Sequence, residues 1–182
     1  MKTTLNAIRA QGPCCNGWKK LLQHLGKTED DDALLSIATV LDSNGLDDAV
    51  WCLRAVTGHD REIRLFAVWC ARRVQHLNTD PSIEKVLVIA EAFANGTVSD
   101  WHLLVAKEES WDKEMDSAKH AASVSANSDA WSAAWSTAQK SRWAVTSRGN
   151  YESKALAEAE EIVAQATELR RVCAEIDAGG AK

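Results

Sequence analysis

The chain is poor in residues that break helices or turn strands, with two prolines and nine glycines among 182 residues. No hairpin dipeptide joins alternating apolar runs and β-branched residues seldom cluster, which argues against a sheet-based fold. No uninterrupted apolar run approaches the roughly 18 residues that a membrane span needs. The opening Met1-Lys-Thr-Thr-Leu-Asn-Ala-Ile8 lacks the apolar core of a secretory signal, so a cytoplasmic protein with no membrane partner is expected. Basic residues do not dominate either. Lys and Arg number 21 against 26 Asp and Glu, a net charge of −5, and they form no stripe. Direct nucleic-acid binding is not expected from that balance.

Groups that carry chemistry are scattered. His24, His59, His76, His102 and His120 fall in no HExxH or paired Cys/His spacing, so neither a metal nor another cofactor is expected. Walker, dinucleotide-binding and GxSxG patterns are missing, and no Cys sits where a nearby His would act as its base. A non-catalytic protein follows. The five cysteines are odd in number, with Cys52, Cys70 and Cys173 inside apolar helical patterns, which reads as reduced, mostly buried thiols. Cys14-Cys15 could serve redox or acylation chemistry, but a turn beside Gly12-Pro13 holding two small apolar side chains is the simpler account. The cluster His59, Asp60, Arg61, Glu62 and Arg64 likewise reads as a helix start laced with ion pairs.

What the chain does contain is a dense series of helix signals. Thr3 or Thr4 caps a short helix that Gly12-Pro13 ends, and Asn16 caps a second one carrying Trp18, Leu21, Leu22 and Leu25. After the acids Glu29 to Asp32, a helix covers Ala33 to Leu41 and stops at Asn44-Gly45. The frame AVWCxRxV then occurs twice, at Ala49 to Val56 and Ala67 to Val74, eighteen residues apart with Gly58 between. With Asp47 and Asp60 as N-caps, the copies predict a helical hairpin that puts Trp51 and Trp69 in the core. Asp80-Pro81 opens and Asn95-Gly96 closes the next helix. Ser99 caps a long segment in which Trp101, Leu104, Glu108, Trp111, Met115, Ala118 and Ala122 align as one stripe. Asn127-Ser128-Asp129 interrupts it, a helix restarts at Trp131, and a final one of about 25 residues, roughly 40 Å, starts at Tyr151. These signals predict a single all-α domain over residues 1–182 with about eight or nine helices. Residues 1–57 form an N-terminal extension to a helical region 58–178.

Eight tryptophans stand out, and most are expected to fill gaps between Ala-rich helices. Five lie between Trp101 and Trp143, more than one long and one shorter helix can cover. At least one of Trp131, Trp135 and Trp143 should therefore stay exposed beside Glu108, Glu109, Asp112 and Asp116. An apolar anchor with a negative rim suits a protein partner.

The block Arg61-Glu-Ile-Arg-Leu-Phe-Ala-Val-Trp-Cys-Ala-Arg-Arg-Val-Gln-His-Leu77, followed by Asp80-Pro81, a helix to Asn95-Gly96 and an Ala/Trp-rich stretch, resembles immunity proteins of bacterial polymorphic-toxin systems. The likeness covers residues 58 to 175; residues 1 to 56 are similar to an extension found in phage and prophage proteins of this type. Residues 101 to 150 are richer in Ser and Trp than that family's pattern, so no histidine role carries over. The resemblance implies an all-α inhibitor that binds and blocks a toxin or a host defence enzyme, as a toxin's immunity protein or as a phage anti-defence, anti-CRISPR protein. The alternative is a helical scaffold or assembly protein, a homodimer paired through its C-terminal helix.

Overall fold

The computed structural model describes residues 1–110, 116–147 and 151–179. Among them are ten α-helices, two short 3-10 turns and one pair of two-residue strands, an all-α fold. The chain divides into two units, one made of residues from Met1 to His59 with the segment from Ala166 onward, the other of Asp60–Gln165.

The first unit holds β1 (Lys2–Thr3), α1 (Leu5–Ala10), α2 (Cys15–Leu25), β2 (Leu35–Ser36), α3 (Ile37–Asn44) and α4 (Leu46–Cys52). Thr4 caps α1 as expected, its hydroxyl accepting from the Ala7 N–H at 3.1 Å. The second cap is Cys14 in place of Asn16: its Sγ accepts from the Gly17 N–H at 3.3 Å. β1 pairs antiparallel with β2, Thr3 opposite Leu35. That pairing removes Leu35 and Ser36 from the helix expected at Ala33, so α3 starts at Ile37 with Ser36 as its cap. Gly45, at φ 95°, both ends α3 and precedes α4. Asp47 therefore lies in the first turn and not at the N-cap, where its charge still suits the helix dipole. The first AVWCxRxV copy leaves the α-helix at Leu53–Ala55, a 3-10 turn. The core of this unit is Met1, Leu5, Ile8, Ile37 and Val40 with Leu169 and Cys173. The last two come from α10 (Tyr151–Gly179), whose 29 residues make a helix about 43 Å long.

The second unit holds α5 (Asp60–Val74), α6 (Pro81–Ala94), α7 (Asp100–Ser110), α8 (Ser117–Ser125), α9 (Ala130–Thr146) and α10 as far as Gln165. Asp60 is the first helical residue and not the cap. Asp80, Asp116 and Asp129 cap α6, α8 and α9, their carboxylates accepting from Ser82, Lys119 and Ser132 N–H groups. α5 packs on α6, α8 and α9, around Phe66, Val74, Ile83 and Leu87, all at most 1% exposed. The α8 and α9 contribution is alanine: Ala121, Ala122, Ala133 and Ala134 are 0% exposed. Side chains this small let the two helices approach closely, which leaves no room for an indole between them.

The expected place of the tryptophans is therefore overturned: none among the described residues is buried. Trp51 and Trp69, read as core, are half-buried, with the guanidinium carbons of Arg54 and Arg73 at 4.8 Å and 5.3 Å from their ring centroids. On α7 the buried stripe is Leu103, Ala106 and Ser110, while Trp101 and Leu104 are 68% and 49% exposed. The expected stripe ran through Glu108, whose carboxylate would need a buried partner. The stripe one residue round carries no charge and turns inward instead.

Candidate functional site

The residues singled out in the sequence divide into three places. Trp131 and Trp135 stack on each other along α9, ring centroids 6.2 Å apart, and are half-buried. Glu108 and Glu109 are exposed on α7, and Glu109 pairs with Lys85 of α6. Asp112 lies outside the described residues, as do Trp111 and Met115. Among the described residues, the one expected pairing of a tryptophan with an acid that shares a groove is Trp143 with Asp116.

They meet in a groove of about 540 Å³, lined by Leu77, by Asp116, Ser117, Ala118 and His120 at the start of α8, and by Trp143, Ala144 and Ser147 at the end of α9. Trp143 is 56% exposed, and the ammonium of Lys140 lies 4.7 Å from its ring centroid. Ala118 and Ala144, each 2% exposed, bring the two helices close and leave the large indole standing above them. Asp116 Oδ1 accepts from the Lys119 N–H at 2.9 Å, so helix capping fixes the orientation of this rim carboxylate. Burial, and then the charge of Lys140, lower the pKa of His120 below its ordinary 6.5. That shift favours the uncharged imidazole. The groove thus offers an indole face, a carboxylate, two hydroxyls and an imidazole over an apolar floor, a set suited to gripping a side chain or loop.

A second hollow, about 120 Å³, lies in the first unit among Ile8, Trp18, Leu21, Val40, Trp51 and Cys52, with Asn44 and Asp48 at its polar edge. Asn44 Nδ2 donates to the Gly17 carbonyl at 2.8 Å and to Asp48 at 2.7 Å. A Cβ on Gly17 would stand 2.7 Å from Asp48 Oδ2; the bare glycine lets the Cys14–Gly17 turn close on α4. These polar groups serve the fold. Cysteine at an N-cap carries no strong sequence signal, because Ser, Thr, Asp and Asn dominate that position.

Ser99 Oγ and His102 Nδ1 lie 3.0 Å apart, both exposed at the start of α7, where water competes for the proton. Among the described residues no three His, Cys, Asp or Glu side chains could hold a metal, and no helix is long and apolar enough to cross a membrane. No protein-family model matches the chain, and neither a curated protein nor a solved structure does.

Proposed function

We propose that the chain is a stoichiometric binding protein that docks on a toxin or defence enzyme and blocks it, with the groove beneath Trp143 as the contact. The observation that carries this reading is a tryptophan 56% exposed above a groove that also holds Asp116, Ser117 and His120. Exposing an indole in water is costly unless something covers it, and Trp with a mixed polar surround is the pattern of an interface anchor. The resemblance of residues 58 to 175 to toxin-immunity proteins points the same way. A bacterial gene beside a toxin makes it an immunity protein; a phage gene makes it an anti-defence protein.

The test is co-expression with a candidate target, either the toxin of a bacterial toxin–immunity pair or a defence nuclease of a phage's host. The chain should relieve toxicity through a complex of one copy with one target. Trp143→Ala should weaken that complex by about 30-fold or more, the ~2 kcal/mol of an anchor residue, with helical content unchanged. Full inhibition by a normally folded Trp143→Ala protein moves the contact elsewhere, and no relief of toxicity ends the proposal.

A further inference from the structure

We propose that the hollow of the first unit binds a small amine, its apolar body against the indoles of Trp18 and Trp51 and its ammonium on the Asp48 carboxylate. All the residues that line it lie between Ile8 and Cys52, within that one unit. The walls are Ile8, Trp18, Leu21, Val40 and Trp51, and the volume is about 120 Å³. An apolar cavity of roughly 150 Å³ takes one benzene, so a body of about six carbon atoms is of the right size. Cys52 belongs to the apolar lining: burial, and then the Asp48 charge, push its thiol up to about 12, so it carries no charge at pH 7. Cys14, also on the lining, is exposed, and solvent reaches the hollow from that side.

The polar rim selects the charge of the ligand. Asn44 Nδ2 donates to Asp48 Oδ2 and to the Gly17 carbonyl, which fixes the carboxylate in place before a ligand arrives and lowers the cost of binding. It does not neutralise it. A carboxamide brings only a dipole, and among the described residues no Lys, Arg or His pairs with Asp48. The neighbouring guanidiniums are engaged elsewhere. That of Arg9 lies 5.5 Å from the Trp18 ring centroid with its Nε 3.7 Å from Asp30, and that of Arg54 lies 4.8 Å from the Trp51 centroid. Asp48 is half-buried, and beside apolar walls its charge is screened less than on an open surface. An ammonium supplies the opposite charge and donates to the carboxylate. A neutral molecule of the same shape gains the burial alone, and an acid is repelled.

Isothermal titration of the full chain with benzylamine at pH 7, beside benzyl alcohol as its uncharged counterpart, tests this, with circular dichroism to verify folding. One benzylamine should bind per chain, and benzyl alcohol should bind about tenfold or more weakly. Asp48→Asn keeps an acceptor for Asn44 but not the charge. It should weaken benzylamine by about tenfold or more and leave benzyl alcohol unchanged. Saturating benzylamine should also slow the alkylation of Cys14, which lines the hollow, and spare that of Cys15, which does not; tandem mass spectrometry distinguishes the two. That readout uses the wild-type chain and decides the matter even where Asp48→Asn fails to fold. No saturable binding of benzylamine, equal affinity for benzyl alcohol, undiminished binding by folded Asp48→Asn, or an unprotected Cys14 overturns the proposal.

Discussion

Phe66 and Trp69 stand one turn apart on α5 with nearly parallel rings, centroids 6.5 Å apart, but they differ in what surrounds them. Phe66 is 1% exposed; Trp69 is half-buried and lies under Arg73. Phe66→Ala should cost about 3–5 kcal/mol, because it empties a closed site. Trp69→Ala should cost only about 1–2 kcal/mol, since water already reaches part of the ring and the cation contributes about 0.5–1 kcal/mol. Urea unfolding of both variants measures the contrast, and equal losses would mean that the indole is core after all. The thiols divide in the same way. Burial, and then the Asp48 charge, push Cys52 up to about 12; burial chiefly raises Cys173 as well. Alkylation needs the thiolate. At pH 8 iodoacetamide should modify the exposed Cys14 and Cys15 in the folded protein, and the buried Cys52, Cys70 and Cys173 only after unfolding; intact-mass analysis before and after denaturation distinguishes them.

At the scale of the helix, Asp80 does two jobs. Its Oδ1 accepts from the Ser82 N–H at 2.8 Å, capping α6, and its Oδ2 accepts from Lys119 Nζ of α8 at 2.6 Å. Lys119 is itself 5% exposed. These bonds, Lys119 foremost, hold the Asp80 carboxyl down to about 2 from its ordinary 3.8. A pKa lowered by folding means that the contribution is complete above 3.8 and is lost as pH falls toward 2. Asp80→Asn keeps a capping acceptor but removes the charge, whereas Asp80→Ala removes both. The Ala variant should be about 1 kcal/mol less stable than the Asn variant, the worth of a cap. The gap between wild type and Asn should narrow on acidification through that window. Thermal melts at pH 7 and at low pH check both statements. Equal stability of the Asn and Ala variants would remove the capping role.

For the whole molecule, the consequence lies in how the first unit is assembled from the two ends of the chain. Leu169 and Cys173, at most 1% exposed, complete a core otherwise made by residues before His59, and the Met1 α-ammonium lies 3.5 Å from Asp177. Truncation after Gln165 should uncover that core and release the amides of α3, where Ile37 and Val40 are 0% exposed, to rapid hydrogen exchange. Slow exchange in α3 of the truncated chain would mean that the N-terminal segment folds without the end of α10.

The residues alone settled the fold class and most helix ends. Thr4, Asp80-Pro81, Asn95-Gly96 and Asp129 mark boundaries that the structure keeps, because a cap satisfies backbone groups within four residues of itself and needs no distant partner. The exposed Trp143 beside Asp116 was legible for a related reason: more indole had been placed in one stretch than two helices could cover. Tertiary packing decided which face of each helix turned inward. Ala-rich α8 and α9 close on each other and keep the indoles outside, Leu103 displaces Trp101 from the interior, and Arg73 draws Glu161 inward while Leu156 and Val163 stay in water. The pairing of Lys2–Thr3 with Leu35–Ser36 spans more than thirty residues and likewise has no local signal. Burial depends on the shape and charge of whatever comes to lie opposite, and only the folded chain brings those partners together.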